Sequence, residues 1–108
     1  MVTLDWLIRQ HGIPAFVKID VEGFENEVFA GLSQPIRVVS FEANLPEFEE
    51  ETILCIEKYA ALAKSEFNYT TEVTPSRFAS GRWLSSEDLC ELIRARQFSY
   101  AEIYGRSV

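Results

Sequence analysis

The chain contains few of the residues from which many ligand sites are built. Among its 108 residues are one histidine, two cysteines and five glycines, and no two glycines stand two positions apart. A Gly-rich turn that cradles a nucleotide needs closely spaced glycines, so the sequence contains no motif of this kind. Neither a multi-cysteine zinc site nor a Ser-His-Asp or Cys-His catalytic set can be assembled from these residues.

Positive charge and long apolar runs are also scarce. Ten Lys and Arg residues stand against 17 Asp and Glu, and the net charge of −7 disfavours nucleic acid or an anionic membrane as partner. No stretch approaches the ~20 apolar residues of a membrane span, and none resembles a secretory leader. Cys55 and Cys90 lie in apolar helical patterns and are expected to be buried, reduced thiols. The sequence therefore predicts a cytoplasmic protein with no nucleic-acid or membrane partner.

What the chain does have is the composition of one globular domain over residues 1–108. Hydrophobic residues make up 47% and charged residues 25%, which is enough apolar content for a core. Helical apolar periodicity alternates with short β-branched runs, and this predicts an α/β fold with a sheet between two layers of helices, a three-layer sandwich. The predicted helices are residues 3–10, about 24 onward, 47–65 and 85–96, and the predicted strands are residues 16–19, 36–41, 67–73 and 98–104.

The first two predicted strands both run into acidic segments. Asp20 and Glu22 follow the first strand, while Glu42 and Asn44 follow the second. Open α/β sheets bind ligands at the carboxyl ends of their strands, so these side chains are candidates for a reacting site. The alternative is that Asp20 caps the following helix and that Glu22 is a solvated charge in an ordinary turn.

One stretch of the sequence resembles a known family. The run FVKIDVEG at residues 16–23, with TLDWLI ahead of it and VVSFEAN behind it, is similar to the FkbM-type S-adenosylmethionine-dependent methyltransferases. The resemblance is specific over residues 3–44 and rests on element order for the remainder. It implies a mixed sheet of about four strands, the C-terminal half of a Rossmann-like methyltransferase. The last strand is then expected to insert antiparallel between the two strands before it.

The resemblance also assigns roles to individual residues. It implies that Asp20, Glu22 and Glu42 are catalytic, because a carboxylate can take the proton that a methylated hydroxyl must lose. It implies that Lys18 and Asp20 contact the methyl donor, S-adenosylmethionine. Catechol O-methyltransferase holds magnesium at comparable places, since carboxylate oxygens suit hard cations. That analogy concerns the fold alone, and no metal site is predicted.

The donor-binding half is the part that the sequence lacks. No predicted strand precedes the first helix, so nothing carries the Gly-rich turn that a nucleotide-type donor needs. The sequence therefore predicts a truncated methyltransferase-like domain without independent catalysis. The alternative is an active O-methyltransferase acting on a hydroxyl of a sugar or small metabolite, as part of a larger chain or complemented by a partner.

The absence of those strands also bears on assembly. In the complete fold the strand Phe16–Ile19 would pair on both sides, whereas here its outer edge would offer unpaired backbone groups. Proteins rarely leave such an edge open. We therefore expect a homodimer that pairs this strand across a two-fold axis.

Overall fold

The structure, a computed structural model, describes residues 4–12, 14–19, 33, 36–71 and 77–108. Within these residues the chain forms three helices and four strands. In chain order they are α1 (Leu4–His11), β1 (Phe16–Ile19), β2 (Val38–Asn44), α2 (Glu49–Leu62), β3 (Ser65–Thr70), α3 (Ser86–Arg94) and β4 (Tyr100–Ser107). The predicted α/β class is confirmed. The helix predicted from residue 24 lies outside the described residues.

The four strands form one mixed sheet in the order β1-β2-β4-β3. β1 runs parallel to β2, with Ile19 opposite Phe41. β4 runs antiparallel to both of its neighbours, so Gly105 lies opposite Val39 on one side and Phe67 on the other. The last strand therefore inserts between the two strands before it, and this part of the prediction is confirmed.

Alternation along the strands gives the sheet two chemically different faces. Residues opposite each other in register share a face, so Phe41 and Ile103 lie together with Val39 on what we call the apolar face. The residues between them form the polar face, on which Ser40, Asn68 and Glu102 are nonetheless buried. On β2, β4 and β3 the polar face carries Ser40, Glu42, Asn44, Tyr100, Glu102, Tyr104, Arg106, Glu66, Asn68 and Thr70.

The described helices all lie on the apolar face. α2 and α3 pack against each other and against the sheet, and they bury apolar residues such as Ile56 and Leu89 in the core. α1 forms a groove with Val17, and the pairing of Val17 with Val39 places that groove on the same side. No helix in the described part of the chain covers the polar face, so the third layer of the predicted sandwich stays a prediction.

α3 begins at a capped residue, as the sequence predicts. The Ser85 hydroxyl accepts a hydrogen bond of 3.1 Å from the backbone N–H of Asp88. Glu87 and Asp88 add negative charge to the first turn, which the positive end of the helix dipole favours. Leu84, the residue before the cap, forms an antiparallel bridge with Phe67 of β3, so the cap marks the point where the chain turns from this bridge into α3.

The first and last residues of three strands differ from the predicted ones. The sequence places Glu42 and Asn44 in the exit after a strand at residues 36–41, whereas the structure places both within β2. Pairing with β4 continues as far as Asn44 opposite Tyr100, and each further pair adds to the hydrogen-bond ladder. β3 and β4 occupy residues 65–70 and 100–107 where residues 67–73 and 98–104 are predicted. Strand ends are thus set by the partner strand.

The centre of the core is packed closely around Gly105 in β4. A Cβ at this position would lie 2.9 Å from Cε1 of Phe67 and 3.0 Å from Cε2 of Tyr59. The absence of a side chain lets α2 approach β4. The Tyr59 hydroxyl also donates a hydrogen bond to the carbonyl of Ile36, which ties α2 to the start of β2.

Candidate functional site

The carboxyl ends of β1 and β2 lie side by side because the two strands are parallel neighbours. Ile19, the last residue of β1, is opposite Phe41, and Glu42 occupies the next position of β2. Asp20 and Glu22, which follow β1 in the sequence, lie outside the described residues. Their catalytic roles, and the contact of Asp20 with the methyl donor, therefore stay predictions.

Lys18, the other predicted donor contact, lies one position before the end of β1. Its Cα pairs with that of Ser40, and its side chain is exposed while Ser40 is buried. Residues paired in register across the strands form a row on the polar face. Beyond Ser40, the row of Lys18 continues with Tyr104 of β4 and Asn68 of β3. The position is open to a ligand, but its row contains no acidic residue among those described.

Glu42, the described member of the predicted catalytic set, is half-buried in β2. It lies directly opposite Glu102 of β4, which is 7% exposed, and Glu102 lies opposite Thr70 of β3. Sequence reasoning missed Glu102. Its signal is a charged residue between the apolar Ala101 and Ile103, but only the register of β4 against β2 brings it beside Glu42.

A narrow cleft borders the carboxyl end of β2. It encloses about 10 Å³, which is room for about one water molecule. It is lined by Phe41, Glu42, Asn44, Phe48, Glu51, Thr52 and Cys55. Pockets for drug-sized ligands enclose roughly 300 Å³ or more, so this cleft is too small for a nucleoside-type donor.

A larger groove lies between α1 and the sheet. Its volume is about 400 Å³, and it is lined by Leu7, Ile8, His11, Gly12, Pro14, Val17 and Ile36. His11 is the one ionisable side chain in this lining. Neither Lys18 nor Glu42 reaches the groove, so the structure does not join it to the predicted site.

Arg106 of β4 is a second cation on the polar face, and neighbouring side chains hold it. Its Nε donates a 2.6 Å hydrogen bond to Oε1 of Glu66, and its guanidinium carbon lies 3.8 Å from the centre of the Trp83 ring. An ion pair combined with a cation–π contact holds this side chain in place. It therefore supports the packing of β4 against β3 and the segment before α3.

Among the described residues, no three His, Cys, Asp or Glu side chains are grouped so that they could hold a metal ion. Within the same part of the chain, no helix is both long enough and apolar enough to cross a bilayer.

The sequence match to known families agrees with the fold. The methyltransferase FkbM domain matches residues 1–100, which include the parallel pair β1–β2 and its acidic ends. The chain belongs to the FkbM methyltransferase family. The resemblance expected from the sequence is thus confirmed. No curated protein matches the chain.

FkbM methyltransferases use S-adenosylmethionine as a family. The donor is a nucleoside joined to a charged amino acid, and it needs several polar partners around a roomy pocket. The cleft beside Glu42 holds about one water, and the groove beside α1 offers His11 alone as an ionisable contact. Neither the cleft nor the groove therefore fits the donor.

Proposed function

We propose that this chain is a truncated FkbM methyltransferase domain that does not methylate a substrate by itself. The observation that carries the proposal is the narrow cleft beside Glu42, which is far too small for the donor. The strand order β1-β2-β4-β3 supports it, because it is the order expected for the second half of the methyltransferase sheet. The donor-binding turn would be supplied from outside these 108 residues.

Isothermal titration calorimetry tests this proposal. S-adenosylmethionine and S-adenosylhomocysteine are titrated into the 108-residue chain, and a full-length FkbM methyltransferase under the same buffer conditions is the positive control. We expect no heat of binding for the short chain at concentrations where the control saturates. Micromolar affinity of the short chain for either ligand would overturn the proposal.

The second candidate function is an active O-methyltransferase for a sugar or small-metabolite hydroxyl, within a longer chain or with a partner. It is favoured by the position of Glu42 beside the end of β1, since Asp20 and Glu22 follow β1 in the sequence. A carboxylate at this edge would accept the hydroxyl proton. Under this second candidate function, the acidic edge of the sheet would be the catalytic part of a complete enzyme.

A methyl-transfer assay separates the two candidates. Labelled S-adenosylmethionine and a panel of sugars are incubated with the chain, alone and with cell extract that could supply a complementing partner. Label transfer that falls at least ~100-fold in Asp20→Asn, and not in Glu66→Gln, would favour the active enzyme. Absence of transfer in every mixture would favour the truncated domain.

We also propose that the chain is a homodimer joined through the outer edge of β1. β1 is an edge strand, and no described residue pairs with its outer side. Exposed apolar residues border it, with Phe16 49% and Leu7 38% exposed. An open strand edge flanked by apolar surface favours pairing with a second chain.

Sedimentation velocity tests the dimer. Phe16→Lys places a charge beside the open edge without entering the core, and we expect it to convert the dimer to a monomer. Leu54→Lys, at a residue 44% exposed on α2, is the matched control and should leave the dimer intact. A wild-type monomer at high micromolar concentration would contradict the proposal.

The cytoplasm is the proposed location. Cys55 and Cys90 are both buried and form no disulfide, which suits a reducing compartment. Fractionation of cells that express the native chain, with blotting of each fraction, checks this location.

A further inference from the structure

A groove runs between α2 and α3, and it consists of two adjoining cavities. The first encloses about 320 Å³ and is lined by Glu49, Glu50, Ile53, Leu54, Glu57 and Arg94. The second encloses about 220 Å³ and is lined by Glu57, Ser86, Glu87, Cys90, Glu91 and Arg94. Because Glu57 and Arg94 border both cavities, the two form one surface, which we call the α2–α3 groove.

The floor of the α2–α3 groove is apolar. Ile53 and Cys90 are almost fully buried and belong to the hydrophobic core. Leu54, by contrast, is 44% exposed where it lines the first cavity. A concave surface with an apolar floor is the shape into which another protein can insert apolar side chains. The groove therefore offers an apolar contact that this chain does not itself cover.

The rims of the α2–α3 groove carry four exposed glutamates at helical spacing. On α2, Glu50, Leu54 and Glu57 stand at positions i, i+4 and i+7, and on α3 Glu87 and Glu91 lie four residues apart. Residues at these spacings share one face of a helix, and like charges four residues apart repel each other. None of the four glutamates forms an ion pair with a cation in the described part of the chain.

The helix ends do not account for this charge. The helix dipole favours acidic residues in the first turn, whereas Glu57 lies in the middle of α2 and Glu91 begins the last turn of α3. Arg94 is the one cation among the described residues that line the groove. Glu49 lies 4.0 Å from Arg96 and is the acidic lining residue with a cationic neighbour at ion-pair distance. The charge of the groove therefore favours a cationic occupant.

We propose that the α2–α3 groove docks a cationic amphipathic helix of a partner protein. In this mode of recognition a helix lays its apolar face into an apolar groove. The apolar side chains of the partner cover Leu54, and its Lys or Arg residues lie against the glutamates of the two rims. Complementary charge of this kind determines which partner is chosen. The inference does not rest on the proposed function, because neither Lys18 nor Glu42 lines the groove.

Fluorescence anisotropy with labelled peptides gives the first test. The probe is a synthetic helical peptide with Leu on one face and Lys on the other, and the full chain is titrated into it. Two control peptides carry Glu in place of Lys, or Ser in place of Leu. We expect saturable binding of the Leu-Lys peptide that weakens as NaCl is raised, and at least ~10-fold lower affinity for both controls. No saturable binding of the Leu-Lys peptide would overturn the proposal. Equal affinity for the Ser-Lys peptide would also overturn it, since charge alone would then explain the binding.

Variants of the chain test where the peptide binds. We expect Leu54→Lys and the double variant Glu57→Gln with Glu91→Gln each to lower the affinity by roughly tenfold. Phe16→Lys, a matched change at an exposed apolar residue outside the groove, should bind as the wild type does. Unchanged affinity in Leu54→Lys would contradict the assignment. On the wild-type chain, NMR shift changes caused by the peptide should be largest at the amides of Leu54, Glu57 and Glu91, and largest changes in β1 would place the contact elsewhere and end the proposal.

Discussion

At the scale of single residues, Gly105 decides how closely α2 approaches the sheet. A Cβ at this position would lie 2.9 Å from a Phe67 ring carbon and 3.0 Å from a Tyr59 ring carbon. Overpacking of a well-packed core typically costs about 1–3 kcal/mol. We expect Gly105→Ala to lower the free energy of unfolding by this amount, measured by urea denaturation.

A second glycine provides the control for this substitution. A Cβ at Gly81 meets no atom within 4 Å. Gly81→Ala should therefore change the free energy of unfolding by less than about 0.5 kcal/mol. Equal losses in the two variants would show that Gly105 is not required for close packing.

Cys90 makes the stability of the folded chain depend on pH in the alkaline range. Burial raises the pKa of its thiol from an ordinary value of 9.0 to about 11. Between pH 9 and pH 11 the unfolded chain has lost the Cys90 thiol proton, whereas the folded chain keeps it. The free energy of unfolding is therefore unaffected below pH 9 and falls as the pH rises above it. We expect a loss of about 1 kcal/mol between pH 8 and pH 10, measured by urea denaturation at each pH.

Cysteine variants test whether Cys90 causes the loss of stability at alkaline pH. Cys90→Ala removes the group, so its free energy of unfolding should vary less between pH 8 and pH 10. Cys55→Ala removes the other buried cysteine and leaves Cys90 in place, so the loss should remain. An unchanged pH dependence in Cys90→Ala would be evidence against the raised thiol pKa. Burial also raises the pKa of Tyr59, which is why measurements stop at pH 10.

At this scale the sequence named candidates whose roles stay predictions. The family resemblance named Lys18, and Glu42 was identifiable because it directly follows an apolar run with strand character. Glu102 was not identifiable as the neighbour of Glu42, since it is 60 residues away and the pairing depends on the register of β4. Register is fixed by packing between strands, which no local sequence pattern contains.

At the scale of secondary structure elements, α3 depends on its N-terminal cap. The Ser85 hydroxyl accepts a hydrogen bond from the Asp88 N–H. Replacing such a cap by alanine costs about 1 kcal/mol. We expect Ser85→Ala to destabilise the chain by this amount in urea denaturation. Ser86→Ala, in the first turn and without a capping bond, should cost less, and the opposite order would contradict the assigned cap.

The elements themselves were largely predictable, whereas their ends were not. The first helix and β1 match the predicted spans closely, since Gly12 and Pro14 separate them. α2 ends at Leu62, three residues before the predicted end, because Ser65 already begins β3. β3 and β4 follow their mutual pairing, from Ser65 opposite Ser107 to Thr70 opposite Glu102. Apolar periodicity determines which element forms, while contacts with distant segments determine where it stops.

At the scale of the whole molecule, the strand order follows from the family resemblance more than from any local pattern. Alternating helices and strands alone favour an all-parallel doubly wound sheet. The antiparallel insertion of β4 came from the similarity to FkbM methyltransferases, and the structure has it. The described helices then share one side of the sheet, and a polar row with two carboxylates lies on the other.

The central position of β4 makes the last segment of the chain essential to the sheet. β4 is the strand that joins β2 to β3, and Ala101, Ile103 and Gly105 are buried within it. Without β4, the apolar faces of β2 and β3 would not meet, and the ladders on both sides would be lost. We expect a chain that ends at Ser99 to show no cooperative thermal transition by circular dichroism. Removal of Val108 alone is the control, because that residue is 63% exposed and contributes one backbone hydrogen bond, to Lys64. A cooperative transition in the shorter chain would mean that β2 and β3 associate without β4, which the observed sheet order does not allow.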